Sequence, residues 1–177
     1  MATDHLNAIE RKLIDNLRTG TYSTTAGVDS GSAWSDGDIT VFGQFPEPED
    51  VKYPCIILEH AANGIEEQFM GQRVTSGSSE AVGELYGVAF NLHVAADRFS
   101  TLSVGGTPYK QRRLLNYMML NTANVLMDCD FDSANSDGDT ANVVERHYTG
   151  FRNISWDPDL EVWFAQTGMI IVFLNTR

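Results

Sequence analysis

Two acidic segments contain the residue types best suited to chemistry. The first, from Val28 to Ser32, has the letters of an aspartic-protease turn centred on Asp29. Such an enzyme needs two carboxylates that share a proton across a symmetric cleft. The flanks of Asp29 are polar rather than β-forming, and nothing in the sequence would bury it or supply its pair. The pattern therefore favours a flexible acidic loop over a protease site.

The second acidic segment, from Asp132 to Asp139, resembles a calcium-binding loop because clustered oxygen ligands before a glycine suit a hard cation. If Gly138 is the sixth residue of such a loop, Ser133 is the first and Val144 is the twelfth, where a bidentate Glu is required. Both ends of the pattern fail. We expect a solvated turn, which is compatible with nonspecific cation binding at high salt, and we predict no metal site.

The histidines and cysteines are too scattered to form a recognisable reactive site. His60 follows Glu59, but adjacent residues of a strand point to opposite faces, so the two are not expected to cooperate as acid and base. Cys55 and Cys129 lie in no CxxC or His-rich neighbourhood and are predicted to be buried free thiols. With no GxSxG elbow and no Gly-rich phosphate loop, we expect neither an enzyme nor a cofactor.

The composition restricts the possible partners. The 177 residues suit a single domain, so we expect residues 1–177 to share one core. A formal net charge of −12 opposes general attraction to nucleic-acid phosphates or anionic membranes. Lysine occurs only at Lys12, Lys52 and Lys110. This acidic, lysine-poor composition fits a protein from a high-salt environment, and an ordinary acidic cytoplasmic protein is equally compatible.

The sequence carries no pattern of a membrane or secreted protein. The first five residues lack the basic patch and apolar stretch of a secretion signal. No apolar run approaches the roughly 18 residues of a membrane span. We therefore expect a soluble protein made in a cytoplasm.

Two helices are predicted. The first is short and amphipathic; its apolar residues are Leu6, Ile9, Leu13 and Leu17, after a cap at Thr3 or Asp4 and before a stop at Gly20. The second runs from Pro108 to about Asp128, because Thr107 suits a helix cap and proline suits the first helical position.

Strands are predicted at 39–42, Tyr53–Glu59 and Leu85–Ala95, and in a terminal hairpin of Val143–Trp156 and Leu160–Leu174. Alternation places Tyr86, Val88, Phe90, Leu92 and Val94 on the face that meets the helices. Polar, Gly- and Ser-rich stretches at 21–37 and 61–83 are predicted to be long loops. The fold class is therefore α+β: a mostly antiparallel sheet with two helices packed on one face and long polar loops.

Several large apolar side chains lie in polar segments. Phe69 and Met70 are flanked by charged residues, so they have no local reason to be buried. They either fold back onto the core or insert into a neighbouring subunit. Trp34 and Phe99 have the same two possibilities.

Five elements follow one another along nearly the whole chain. After the N-terminal helix come a Tyr-Pro strand (Tyr53–Leu58), a long strand (Gly83–Asp97), the main helix (Pro108–Asp128), and a hairpin that finishes with Thr167–Phe173. This order resembles the tail terminator, or tail completion, proteins of long-tailed viruses of bacteria and archaea. In its acidity the chain is similar to a tail terminator protein from a virus of salt-loving archaea.

The resemblance implies a structural virion protein of the tail or neck, assembled in the host cytoplasm. Members of the family form a hexameric ring that caps the tail tube, stops its polymerisation and joins it to the head connector. The implied partners are other copies of the chain, the tail tube protein and the head–tail connector, while DNA passes through the lumen without specific binding. We expect the 61–83 segment, with Phe69, Met70 and Arg73, to form an inter-subunit or tube-facing arm, with Trp34 and Phe99 as further candidate contacts.

Other functions stay open on the sequence. A head-closure or neck protein and a tail tube subunit also form rings, but tube subunits are usually built around a closed β-barrel with one helix. A small acidic enzyme that uses Asp29 or the 132–139 segment is a less favoured alternative. A cytoplasmic host adaptor is a further alternative.

Overall fold

The computed structural model describes residues 5–23, 30–67, 73–76 and 79–176, and it contains two helices and eleven strands in these ranges. In chain order they are α1 (His5–Thr19), β1 (Thr21–Ser23), β2 (Ser30–Ser32), β3 (Thr40–Phe42), β4 (Cys55–Glu67), β5 (Arg73–Ser76), β6 (Ser79–Asp97), β7 (Thr101–Val104), β8 (Thr107–Lys110), α2 (Gln111–Asp128), β9 (Val143–Tyr148), β10 (Arg152–Asp157) and β11 (Val162–Thr176). A single 3-10 turn, Pro48–Asp50, joins β3 to β4. The architecture is α+β, as predicted.

The main sheet is built around the two longest strands. Its order is β10–β11–β6–β4–β3, and β9 also pairs with β11, beyond the end of β10. All of these pairs are antiparallel except β3 with β4, which is parallel. The pairing of β6 with β11 is unbroken from Asp97↔Val162 to Gly83↔Thr176. Because the strand order begins with β10 and ends with β3, these two strands lie at opposite edges of the sheet.

One face of the sheet carries the core, as the alternation on β6 predicts. The residues Val88, Phe90, Leu92, Val94 and Ala96 are at most 1% exposed. They share one apolar cluster with Ile9, Leu13 and Leu17 of α1, Leu114, Leu115 and Met118 of α2, Ile56 and Leu58 of β4, and Met169 and Ile171 of β11. Burial of this continuous apolar surface is the main stabilising term. Both helices cover the same face.

The first helix forms where the periodicity predicts it. Ile9, Leu13 and Leu17 are fully buried, and Gly20 follows the last turn with a φ of +58°. A Cβ at Gly20 would lie 2.9 Å from the Trp34 ring, so both the backbone angle and the space require glycine. The predicted cap residues Thr3 and Asp4 lie outside the described residues.

The long helix begins three residues later than predicted. Gly105 and Gly106 have φ angles of +55° and +79° and connect a two-stranded sheet in which Val104 pairs with Thr107 and Pro108 with Ser103. Two residues with positive φ suit a tight hairpin turn, and this local pairing takes Thr107–Pro108 away from the helix. α2 starts at Gln111 and ends at Asp128, which was the expected end.

The two predicted polar loops are partly strands. β4 continues to Glu67, β5 pairs with the start of β6 through Arg73↔Val82, and β6 begins at Ser79. In the earlier stretch, β1 pairs with β2. Backbone hydrogen bonds to a neighbouring strand are independent of side-chain type, so pairing overrides the low β propensity of Gly and Ser.

The terminal hairpin is confirmed, with one interruption. β10 pairs with β11 across the turn at 158–161, and Thr149–Phe151 separate β9 from β10. A bulge between Arg152 and Ser155 places two residues of β10 opposite one of β11. Bulges of this kind bend a strand and increase its local twist.

Candidate functional site

Exposed apolar side chains concentrate at one end of the main sheet. Among the described residues, nine large hydrophobic side chains are exposed, and four of them lie between residues 154 and 164. We define the hairpin-end patch as Ile154 (48% exposed), Trp156 (37%), Leu160 (67%), Phe164 (36%) and Phe99 (73%). These residues surround this end of the sheet on both faces, since the register puts Trp156 on the helix face and Phe164 on the opposite face. Such a concentration is typical of a protein–protein contact, whereas isolated exposed apolar residues are ordinary.

Polar contacts hold the patch in place. Arg98 donates to the Glu161 carboxylate at 2.5 Å, and its backbone N–H donates to the Glu161 carbonyl at 3.1 Å. These bonds join the loop that carries Phe99 to the turn that carries Leu160. The Arg98 guanidinium also lies 4.4 Å from the centre of the Phe99 ring. Phe99 and Leu160 therefore lie on two segments that these contacts hold together.

The turn itself is closed by Asp157. Its carboxylate accepts the backbone N–H groups of Asp159 and Leu160 at 2.9 and 3.0 Å, which is the geometry of an Asx turn. Beside the turn, the rings of Trp156 and Trp163 lie 5.3 Å apart. Sequence reasoning identified this turn but missed the patch, because the exposure of Ile154 and Trp156 depends on the position of β10 at the edge of the sheet.

A free sheet edge adjoins the patch. β9 and β10 pair only with β11, so within the described part of the chain the outer side of both strands has no β partner. Val144, Ile154 and Trp156 on this edge are exposed. Unpaired strand edges are ready sites for pairing with another chain.

The sheet face opposite the helices carries a polar cluster that the sequence did not predict. The Glu59 carboxylate accepts a hydrogen bond from the Asn91 amide at 3.1 Å and lies 3.4 Å from Nε2 of His93. These two bonds lower the pKa of Glu59 below its ordinary value. The Phe45 ring packs against His93 at a centroid distance of 4.9 Å. Alternation on β4 and β6 was the available signal, since odd-numbered residues of both strands share this face.

His60, the residue after Glu59, lies on the other face of the sheet. His60 lies on the helix face, where its ring is 5.5 Å from Phe90. Glu59 and His60 thus point to opposite faces, as predicted.

The 132–139 segment is held by contacts with α1 and by hydrogen bonds within itself. Lys12 donates to Ser133 Oγ at 2.6 Å, and Arg11 lies 3.3 Å from the Asp137 carboxylate. Asn135 Oδ1 accepts the N–H groups of Asp137 and Asp139, both at 2.9 Å. Among the residues that the structure describes, no group of three or more His, Cys, Asp or Glu could hold a metal ion.

Both cysteines are buried free thiols, as predicted. Burial raises the pKa of each thiol to about 12. For Cys55 the nearby charge of Asp97 adds to this effect, whereas Lys12 and the hydrogen bond from Asn16 oppose it at Cys129. Both side chains stay protonated at neutral pH and are poor nucleophiles.

The predicted contact residues have different positions. Phe99 is 73% exposed and belongs to the hairpin-end patch. Trp34 is only 4% exposed and packs in the core, so it offers no free surface to a partner. Phe69 and Met70 lie outside the described residues, as does Asp29. For Arg73 the structure gives the backbone pairing with Val82 but no side-chain position.

No helix in the described ranges is long and apolar enough to cross a membrane. Neither a protein-family model nor a curated protein sequence matches the chain.

Proposed function

We propose that this chain is a structural virion protein that forms a homo-hexameric ring at the end of a viral tail tube. The ring ends tube polymerisation and joins the tail to the head connector. Three kinds of partner follow: other copies of the chain, the tail tube protein and the connector. On this proposal the protein performs no bond-making chemistry and resides in the mature particle.

The hairpin-end patch is the observation that carries the proposal. A ring subunit must present fixed apolar surface to its neighbours, and buried aromatic and aliphatic anchors supply most of the energy of such contacts. Phe99 and Leu160 are exposed in the single chain, and the Arg98–Glu161 pair joins the two segments that carry them. Their burial in an assembly would remove them from water.

The free β9–β10 edge gives the proposal a geometric mechanism. An edge and a patch on the same chain can match a tube subunit on one face of the ring. On this proposal the opposite face of the ring presents no surface that matches another tube subunit, so growth stops. An open sheet with two helices on one face also favours a terminator over a tail tube subunit, given the closed barrel and single helix usual in such subunits.

The charge of the chain suits passage of DNA through the ring. With a net charge of −12 per subunit, six copies repel phosphates rather than bind them. The same acidity and the scarcity of lysine support a high-salt host. A map of the electrostatic potential in the lumen of the assembled ring tests this part, and a basic lumen contradicts it.

Disruption of the gene in the virus that encodes it tests the function. We expect tails of uncontrolled length and heads without attached tails, because tube growth has no stop and the connector has no partner. A copy of the wild-type gene supplied in trans should restore normal particles. Disrupted virus with tails of normal length joined to heads would contradict the proposal.

A further inference from the structure

A cluster of cations lies at the start of α2 in an otherwise acidic protein. Lys110, Arg112 and Arg113 are three of the twelve Lys and Arg residues, and the stretch 107–116 contains no Asp or Glu. All three side chains are exposed. None of them forms an ion pair with a residue that the structure describes. The positive charge is therefore available to a partner.

The position of these cations is unfavourable in the isolated chain. The N-terminus of a helix carries partial positive charge, and α2 has no acidic residue in its first turn. Two of the guanidinium groups are nevertheless held by aromatic rings: Arg112 lies 5.7 Å from the centre of Trp163, and Arg113 lies 4.5 Å from that of Tyr109. Groups that are already ordered lose less entropy when they bind.

A complementary anionic surface lies toward the opposite edge of the sheet, next to β3. Glu47, Glu49 and Asp50 are exposed in and beside the 3-10 turn that joins β3 to β4. None of the three forms an ion pair within the described ranges. Lys52, two residues further on, is the one cation nearby in sequence and leaves the segment net negative.

The cationic and anionic surfaces lie toward opposite edges of the main sheet. Arg112 contacts Trp163 of β11, which lies next to β10 at one side of the sheet, whereas the anionic turn follows β3 at the other side. A contact between two different surfaces of identical chains is heterologous, and it generates a ring when the rotation closes. A contact of a surface with itself would give only a dimer.

We propose that neighbouring copies of this chain bind head to tail, with Lys110, Arg112 and Arg113 of one copy against Glu47, Glu49 and Asp50 of the next. This inference rests on the proposed ring and specifies which surfaces form it. A second copy is the favoured occupant because the chain itself supplies the matching charges. Three cations on a protein of net charge −12 are a weak attraction for nucleic acid.

Charge reversal tests the contact. The variant Lys110→Glu/Arg112→Glu/Arg113→Glu and the variant Glu47→Lys/Glu49→Lys/Asp50→Lys are each expected to need at least about tenfold higher protein concentration for half-maximal assembly, measured by sedimentation velocity. The second variant is the sharper test. Each reversal changes the charge by two, so its net charge falls in magnitude from −12 to −6. General repulsion therefore predicts tighter assembly, and the proposed contact predicts weaker assembly.

An equal mixture of the two variants provides the rescue. In a ring with an even number of subunits the variants can alternate, and every contact then joins opposite charges. We expect the mixture to assemble as the wild type does. Circular dichroism and the urea midpoint of each variant show that loss of assembly is not loss of folding.

The possible failures are distinguishable. Rings formed by both variants alone would overturn this contact and leave the proposed ring intact, whereas a monomeric wild type would count against the ring itself. Fluorescence anisotropy with a labelled 30-mer DNA tests the other occupant. If the variant Lys110→Glu/Arg112→Glu/Arg113→Glu loses DNA binding and keeps its assembly, the inference is wrong and the patch is a nucleic-acid surface.

Discussion

The indole N–H of Trp34 donates a hydrogen bond to the carbonyl oxygen of Leu17, and the two atoms lie 2.9 Å apart. Leu17 is in the last turn of α1, where carbonyl groups have no helical partner. The carbonyl oxygen of the preceding residue, Ala33, accepts a hydrogen bond from the Tyr117 hydroxyl of α2 at 2.6 Å. This segment therefore joins both helices, which explains why a tryptophan from a polar stretch is 4% exposed.

Replacement of Trp34 should weaken folding. We expect Trp34→Phe to lower the free energy of unfolding by about 1–3 kcal/mol, because the Leu17 carbonyl loses a buried partner and the smaller ring leaves space. Urea unfolding measures the change. Trp156→Phe is the matched control, since Trp156 is 37% exposed. An equal loss in both variants would contradict the structural role of Trp34.

Two leucine variants test whether the hairpin-end patch forms the contact between subunits. Leu160→Asp should weaken oligomer formation by at least about tenfold without loss of folding, because a charge would replace an apolar anchor of the contact. Leu120→Asp on α2 is the control, as Leu120 is 62% exposed and Leu160 67%. Sedimentation velocity reports the oligomer. Equal behaviour of the two variants would place the contact elsewhere.

The carboxylate of Glu59 predicts a specific pH dependence. Hydrogen bonds from Asn91 and His93 lower its pKa in the folded chain below the value of 4.5 for an unperturbed Glu. The stabilisation is thus complete above that value and is lost as the pH falls through the folded pKa. We expect the difference in unfolding free energy between wild type and Glu59→Gln to shrink as the pH falls below about 4.5.

Urea unfolding at several pH values between 3 and 6 measures this difference. Asp36→Asn is the control, because Asp36 is an exposed carboxylate outside the proposed subunit contacts. A difference for Glu59→Gln that stays constant across the range would mean that its carboxylate is not stabilised by Asn91 and His93.

The two thiols should be unreactive until the chain unfolds. Burial raises the pKa of Cys55 and Cys129 to about 12, so the thiolate is scarce and covered at pH 8. We expect a colorimetric thiol reagent to label neither cysteine in buffer and both in urea. Because the folded pKa is above the reference value of 9.0, stability should also fall as the pH rises beyond that value. Rapid labelling of the folded chain would contradict the burial.

The 132–139 segment depends on one amide. Asn135→Ala removes the oxygen that accepts the N–H groups of Asp137 and Asp139, so we expect a loss of about 1–2 kcal/mol in unfolding free energy. Asp139→Asn keeps both backbone bonds and should change stability by less than about 0.5 kcal/mol. Urea unfolding of the two variants distinguishes them, and similar losses would show that the Asp139 carboxylate contributes as much as the Asn135 amide.

Much of the fold follows from side-chain periodicity. Leu13 and Leu17 identify α1, and Phe90 and Leu92 identify the core face of β6, because one face of each element must be apolar. Periodicity could not predict the extension of β4 to Glu67, since its Ala, Asn and Gly residues have low β propensity and form a strand only when another strand is present to pair with them. The predicted start of α2 was wrong for a similar reason, because Thr107 and Pro108 pair in the hairpin at Gly105 instead of joining the helix.

The candidate site was harder to predict than the fold. Phe99 was identified because it is apolar in a polar segment. Ile154 and Trp156 were not, because their exposure depends on the position of β10 at the edge of the sheet, which the side chains of β10 alone do not reveal. The cluster of Glu59 with His93 joins residues 34 positions apart, and only the strand register brings them together.

The mass of the wild-type protein in solution tests the central claim most directly. Native mass spectrometry across a range of concentrations and salt should show an assembly of six copies, each of 19.6 kDa. A chain that stays at 19.6 kDa under all of these conditions would contradict a protein that works by forming a ring.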